Sequence, residues 1–297
     1  MGSDARIVQT ARVSYGEGTK TLREDAGLID YLLRHEHSSP FEHVIFEFHA
    51  KMPIFVARQW VRHRTANINE YSLRYSEARD EFYFPDPNHI EFQSAVNKQG
   101  RMGEVDKKLK KKVQAYFKEI SDRSFEIYSE LNEAGVAREL ARAILPVNLY
   151  TEWYWKNDLH NLLHFIGLRS DGHAQYEIRV FSDAMASYVK KVAPFAWEAY
   201  QDYVVKGMRF SKIEQSILEQ KLPKRVLSDI QEDISYKLTA SLHSNKPRDE
   251  KDLYPLYKKQ GGSDSIEDFN LKWASGEIEV ENVRELREFK SKIERLK

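Results

Sequence analysis

Apolar residues along this chain fall into two rhythms, and each predicts its own kind of element. Ala26 to Leu33 has helical spacing and reads as a short helix. Val44, Phe46, Phe48 and Ala50 alternate with Ile45, Glu47 and His49, which predicts a strand. Pro53 suits the first turn of a helix running from Ile54 towards Arg64, with Ile54, Ala57, Trp60 and Val61 on one face. Glu104 to Ala134 predicts a long amphipathic helix carrying Val105, Leu109, Val113, Tyr116, Phe117, Ile120 and Leu131, with Gly135 as its stop. Val136 to Leu145 reads as a helix ended by Pro146, and Leu149, Thr151, Trp153 and Trp155 as a strand. Asp158 can cap a helix bearing Leu159, Leu162, Leu163 and Ile166, and His173 to Tyr203 predicts a helix bent at Pro194. Met1 to Lys20 shows no complete element, and Glu81 to Gly103, with Pro85 and Pro87, reads as irregular. Strands without a β-α-β rhythm imply an α+β fold: long amphipathic helices with a small antiparallel sheet.

The pattern weakens after about residue 210. Lys212 to Lys297 holds 17 basic and 17 acidic residues, about 40% charged against 31% for the chain. Gly261-Gly262-Ser263 interrupts this region, and Glu277 to Lys297 reads as a mixed-charge helix. We therefore expect a catalytic-type domain over 1–209 and a mostly helical, charged extension over 210–297, with no internal repeat. The 46 basic and 46 acidic side chains of the 297 residues cancel, so charge points to neither a nucleic-acid nor a membrane-surface partner. No apolar run approaches the ~18 residues of a membrane span, and no signal segment opens the chain, so a cytoplasmic protein is expected. The sequence has no cysteine. Disulfides, thiolate metal sites and cysteine nucleophiles are excluded together.

Chemistry concentrates in Arg62-His63-Arg64-Thr65-Ala66-Asn67-Ile68-Asn69-Glu70-Tyr71-Ser72-Leu73-Arg74-Tyr75. Three arginines cannot be buried unpaired, so the segment faces either water or an anionic ligand, for which guanidinium gives a bidentate grip. There is no G-x-G-x-x-G after a strand and no phosphate-binding P-loop, so a nucleotide here would be held by side chains. His160 and His164 lie one helical turn apart, and His35 and His37 share a loop. Without an intervening glutamate or any cysteine we expect no metal. Taken singly, Ser38-Ser39-Pro40-Phe41-Glu42-His43 reads as a turn entering a strand, and Arg142 as a solvated helix residue.

Together these segments resemble the flavin-dependent thymidylate synthases. The R-H-R and N-E-x-S-x-R-Y stretches are similar to that family's signature. Ala11-Arg12-Val13-Ser14, Ser38 to His43, Ala141-Arg142-Ala143-Ile144-Leu145-Pro146, Asn157 to Arg169 and His173 to Arg179 resemble further family blocks in family order, over about the first 205 residues. Departures exist. Met1 falls almost directly before the first block, where members carry an extra strand. Asn67 stands where serine is common, His160 and His164 replace an arginine and an asparagine, and the extension has no counterpart.

The resemblance implies reductive methylation of dUMP to dTMP, with methylenetetrahydrofolate as carbon donor and NADPH as hydride source through FAD. A cysteine-free chain cannot use the thiolate route of ordinary thymidylate synthase. It further implies that Gln59, Arg62, Glu70, Ser72, Leu73, Arg74, Arg142 and Arg169 bind dUMP, with Arg142 from a neighbouring subunit of a homotetramer. Arg169 is the catalytic candidate, stabilising charge on the uracil. Ser39, Arg62, His63, Arg64, Glu70, Asp158, His160 and His164 are expected at the flavin. Ser72 lacks a histidine–acid relay and is read as binding rather than nucleophilic. The rival is a non-catalytic nucleotide- or RNA-binding protein in which Arg62, Arg64 and Arg74 grip phosphates and Trp60 and Tyr71 stack bases. A third reading is a flavoprotein oxidase with an idle nucleotide site. Visible absorbance of the purified protein separates the RNA binder from the two flavoproteins.

Overall fold

The computed structural model describes residues 2–15, 22–95 and 98–221, with single positions 258, 263, 265, 268 and 272 beyond them. The tail helix expected over Glu277 to Lys297 lies outside the described residues. The chain divides into two units, Met1–Lys206 and Gly207–Lys297.

In the first unit the described elements run α1 (Asp4–Arg12), α2 (Leu22–Arg34), β1 (Ile45–Pro53), α3 (Ile54–Trp60), β2 (Asn67–Glu70), β3 (Glu91–Gln93), β4 (Arg101–Glu104), α4 (Lys107–Glu133), α5 (Arg138–Ala141), β5 (Tyr150–Asp158), α6 (Leu159–Arg169), α7 (Tyr176–Val192) and α8 (Pro194–Tyr200). In the second, α9 (Lys212–Lys221) is described. The main sheet is antiparallel in the order β1-β5-β2. Its central strand faces Ile45 to Pro53 on one side, Ile45 opposite Asp158, and Asn67 to Glu70 on the other, Glu70 opposite Trp153. The α+β expectation holds.

The alternation read in the sequence has its physical cause in the core. Thr151, Trp153, Trp155 and Asn157 point inward along β5, whereas Tyr154 is exposed. Trp60 from α3 is fully buried and packs edge-to-face against Trp153 at 5.4 Å and Trp155 at 5.3 Å, with Phe165 of α6 at 5.2 Å. Truncating one of these rings leaves a cavity that costs about 3–5 kcal/mol. The cluster fixes α3 and α6 against the sheet, and both helices end at the site described below.

Several boundaries differ from expectation. The first residues form a full helix: Ile7 and Val8 are completely buried, and the Asp4 carboxylate accepts from the backbone N–H groups of Phe195 and Ala196 at 2.9 and 3.0 Å, capping α8. That partner lies far off in the sequence, so no local signal announces it. The helix expected to reach Arg64 ends at Trp60, because the chain turns at Val61 and Arg62. Asn67 to Glu70, within the arginine-rich segment, is an edge strand with every residue exposed. Glu81 to Gly103 contains the β3–β4 hairpin. Val136 to Leu145 shortens to the four-residue α5 followed by a 3-10 turn, Arg142–Ile144. Within α4 only Ser121 and Tyr128 are buried. Leu109, Tyr116 and Ile120 of its expected apolar face stay open. The Pro194 bend, the Gly135 stop at φ 79° and the Asp158 cap, with Oδ1 accepting from Asn161 N at 2.9 Å, form as expected.

Candidate active site

The site grows from the C-terminal end of α3. A helix end leaves carbonyls unpaired, and here the Gln59 carbonyl accepts from Nη2 of Arg169, the last residue of α6, at 3.3 Å. The same guanidinium donates from Nε to Nε2 of His63 at 3.0 Å. Arg58, Gln59, Arg62, Arg64 and Arg169 line one cavity of about 560 Å³. Among the described residues, Arg58, Arg62, Arg64 and Arg169 form no ion pair. Four guanidiniums around one space repel each other until an anion enters.

His63 titrates near 4. Burial is the largest cause, and the charge of Arg169 and the neighbouring His164 push in the same direction. The imidazole is therefore neutral at pH 7. With Nε2 accepting from Arg169, its proton sits on Nδ1. The ring packs edge-on against Phe165 at 4.8 Å, and His164 lies 6.2 Å away. Burial also lowers the pKa of Arg169, which stays a cation at neutral pH.

A second set lies on the turn after β2. Glu70 is held by Thr151, whose hydroxyl donates to Oε1 at 2.7 Å. Tyr75 and Ser76 donate their backbone N–H groups to the Ser72 carbonyl, and the Ser72 hydroxyl accepts from Arg74 N at 3.3 Å. Arg74 pairs with Glu139 of α5 at 3.1 Å on the surface. Arg138 ties α5 to the same turn through the Tyr75 carbonyl at 3.2 Å and Glu77 at 3.1 Å. The turn with Ser72, Leu73 and Arg74 thus travels with α5, whose end carries the half-buried Arg142.

The structure brings Gln59, Arg62, Arg64 and Arg169 together around the cavity, with His63 and His164 beside them. It holds Ser72, Leu73 and Arg74 in a distinct set beside α5. Among the described residues no hydrogen bond or ion pair links the two sets within one chain. His160 and His164 are exposed on α6, and Ser39 is exposed before the turn leading to β1. The Asp158 carboxylate spends its Oδ1 on the α6 cap and also accepts from the Asn161 side chain at 2.9 Å through Oδ2. No group of three or more His, Cys, Asp or Glu among the described residues has the geometry to hold a metal. Sequence reasoning missed Arg58 and Gln175. Arg58 had a signal, standing one helical turn before Arg62 on the same face. Gln175, whose Oε1 accepts from the Gln59 side-chain amide, lies in the His173 to Arg179 block, which gave it no role of its own.

The fold and the site define an α+β protein with a pocket lined by four arginines. Residues 1–195 match the family described as thymidylate synthase complementing protein. The flavin-dependent thymidylate synthase of Treponema denticola is 55% identical over 215 residues, covering 72% of this chain and 81% of its own. That of Thermus thermophilus is 53% identical over 214 residues, covering 72% and 77%. The crystal structure of a UMP/dUMP methylase, PolB from Streptomyces cacaoi, bound with 5-Br dUMP superposes with a TM-score of 0.63 at 32% identity, over 68% of this chain and 92% of that one. The chain belongs to the flavin-dependent thymidylate synthase family and is a flavin-dependent methyltransferase.

Proposed function

We propose that this protein methylates dUMP reductively to dTMP, taking the carbon from methylenetetrahydrofolate and the hydride from NADPH by way of FAD. The observation that carries this reading is the cavity of Arg58, Arg62, Arg64 and Arg169, in which no arginine has a carboxylate partner among the described residues. Such a pocket takes anionic ligands, here one end of dUMP and the flavin pyrophosphate.

In this reading Gln59 and Arg62 meet dUMP from one subunit. Ser72, Leu73, Arg74 and Arg142 meet its phosphate from a neighbour, with Glu70 at the junction. The separation of the two sets within one chain supports a shared site. So does the open apolar face of α4, with Leu109, Tyr116 and Ile120 exposed, which an assembly such as a homotetramer would cover. Arg169 stays cationic and lies against the uracil edge, where it stabilises negative charge and directs reactivity to C5. Neutral His63 accepts a hydrogen bond from Arg169 and so aims the guanidinium without competing for the anion.

The donor set fits a flavin. Arg64 and Arg62 suit a pyrophosphate, and the exposed His160 and His164 with Ser39 suit polar edges of the ring system and its ribityl chain. Asp158 contributes by starting α6 at the correct residue. A bound flavin supplies hydride chemistry that no side chain here has. Membership of a thymidylate synthase family disfavours the RNA-binding alternative. A cytoplasmic location belongs to the same reading; no helix among the described residues is long and apolar enough to cross a membrane.

The test is direct. Purified protein with dUMP, FAD, NADPH and methylenetetrahydrofolate should form dTMP and release tetrahydrofolate. Stoichiometric dihydrofolate in place of tetrahydrofolate would overturn the reading.

A further inference from the structure

Glu70 is the one acid in the arginine-rich segment from Arg62 to Tyr75, and it ends β2. It stands opposite Trp153 in the ladder, so its side chain leaves the sheet on the face that carries Trp153 and Thr151 of β5. Thr151 is buried and lies opposite Met52 of β1. Its hydroxyl donates to Glu70 Oε1 at 2.7 Å, across the diagonal of the β2–β5 ladder. Among the described residues this is the one side-chain hydrogen bond of Glu70. Glu70 forms no ion pair among them, although its own segment holds three arginines.

The two partners differ in stiffness. A glutamate on an exposed edge strand has three free torsions and loses much rotamer freedom when a ligand orders it. A threonine in a strand is β-branched and stiff at χ1, so its hydroxyl points where the backbone sends it. The backbone here is well held. Thr151 pairs with β1, and two residues earlier the Leu149 carbonyl accepts from N of Ile54, the first residue of α3, at 2.9 Å. A fixed buried donor therefore holds a long exposed acceptor. The bond occupies Oε1 and leaves Oε2 open. Just past Glu70 the chain is tied again, by Tyr71 N donating to the Glu152 carbonyl at 2.9 Å, and enters the turn with Ser72, Leu73 and Arg74.

We propose that Thr151 is a positioning residue, whose buried hydroxyl fixes the Glu70 carboxylate in advance to accept a hydrogen bond from dUMP. This rests on the reading that Glu70 meets dUMP at the junction of the two sets. A carboxylate accepts and cannot donate, and neither can a phosphate dianion, so Glu70 meets an O–H or N–H of the nucleotide and not its phosphate. Arginines attract any anion, whereas an ordered acceptor tests the ligand for a donor in one place. Ordering that acceptor before the ligand arrives lowers the cost of binding. The bond matters little to folding. Without it the exposed carboxylate turns to water and is not stranded in the core.

Thr151→Val keeps the shape and the β-branch and removes the hydroxyl. In the full-length flavin-loaded enzyme it should raise the KM for dUMP about 3–10-fold, the effect of one hydrogen bond, with kcat within about twofold and Tm within a few degrees. Thr151→Ser puts the hydroxyl back and should return the KM to within about twofold of wild type. In a Glu70→Ala background Thr151→Val should have no further effect on KM. Thr151→Ala takes the place of Thr151→Val where the latter does not fold, with the same KM rise expected. The proposal is overturned when a folded variant without the hydroxyl keeps the wild-type KM, whatever its Tm. It is equally overturned when Thr151→Ser fails to restore the KM, or when the rise persists undiminished without Glu70. A wild-type protein that binds no dUMP would instead defeat the reading of the site itself.

Discussion

Arg169 closes the last turn of α6 onto the end of α3 by donating to Nε2 of His63 at 3.0 Å and to the Gln59 carbonyl at 3.3 Å. One guanidinium thus joins the ends of two helices that both pack on the tryptophan cluster, and it does so without a carboxylate. Its charge remains available to the substrate. Arg169→Ala should lower dTMP formation about 10²–10³-fold, the range for losing a preorganised donor to developing charge. Steady-state assays under saturating dUMP check this. Arg169→Lys should recover little of the rate, because a compact ammonium lacks the planar fork that spans His63 and the Gln59 carbonyl.

The depressed pKa of His63 makes the folded state sensitive to acid. The imidazole titrates near 4 when folded and near 6.5 when unfolded. Between those values the unfolded chain binds a proton that the folded one refuses, so stability rises with pH across this window and falls as pH drops through it. Above 6.5 the histidine has no effect. The ring is only half buried, so solvent screening reduces the effect to about 1–2 kcal/mol. Urea unfolding of wild type and His63→Gln at pH 7.5 and pH 5 should show a smaller acid loss in the variant, which keeps an acceptor for Arg169 and has no imidazole to protonate. An equal loss in both proteins would show that His63 is not the acid-sensitive group.

Arg74 tests the separation of the two sets. It is paired with Glu139 on the surface, an interaction worth little in water, and is free to exchange that partner for a phosphate. Arg74→Ala should weaken dUMP binding by about 1.5–3 kcal/mol, as for a hydrogen bond to a charged group, and leave flavin absorbance unchanged. Titration calorimetry and visible spectra of the same preparation decide it. Loss of flavin with normal dUMP affinity would reverse the assignment of the two sets.

What the sequence revealed depended on whether the cause of each feature was local. The Asp158 cap, the Gly135 stop and the alternation of Trp153 and Trp155 are properties of a few neighbouring residues, and they formed as read. The edge strand Asn67 to Glu70 has no buried face, so no alternation marks it; its pairing with Lys156 to Trp153 comes from the sheet. The first helix depends on Asp4 reaching α8 across nearly the whole first unit. The site follows the same rule. Arg62, His63 and Arg64 stand in one short segment and were found there. Gln175 enters through contact with Gln59, which only the fold brings about.

The second unit poses the last question, whether the first unit stands without it. The buried apolar residues of the described core, from Ile7 to Tyr200 with Tyr203 at its margin, all precede Gly207. The cavity arginines and the Ser72–Arg142 set do too. In the second unit Ile213 and Ile217 of α9 are exposed. A chain truncated after Gly207 retains every buried residue of the described core and should fold as a flavoprotein, with Tm within a few degrees of full length and dUMP-dependent activity intact. The competing account is that the apolar residues Ile217 and Leu218, with Leu222 and Val226 outside the described residues, hold a neighbouring subunit. Because the proposed site draws Arg142 from a second subunit, losing the assembly would also abolish activity. Size-exclusion chromatography with in-line absorbance near 450 nm separates the accounts. An oligomer that keeps its yellow colour after truncation assigns the assembly to the first unit, whereas a colourless monomer would make the extension part of the active enzyme.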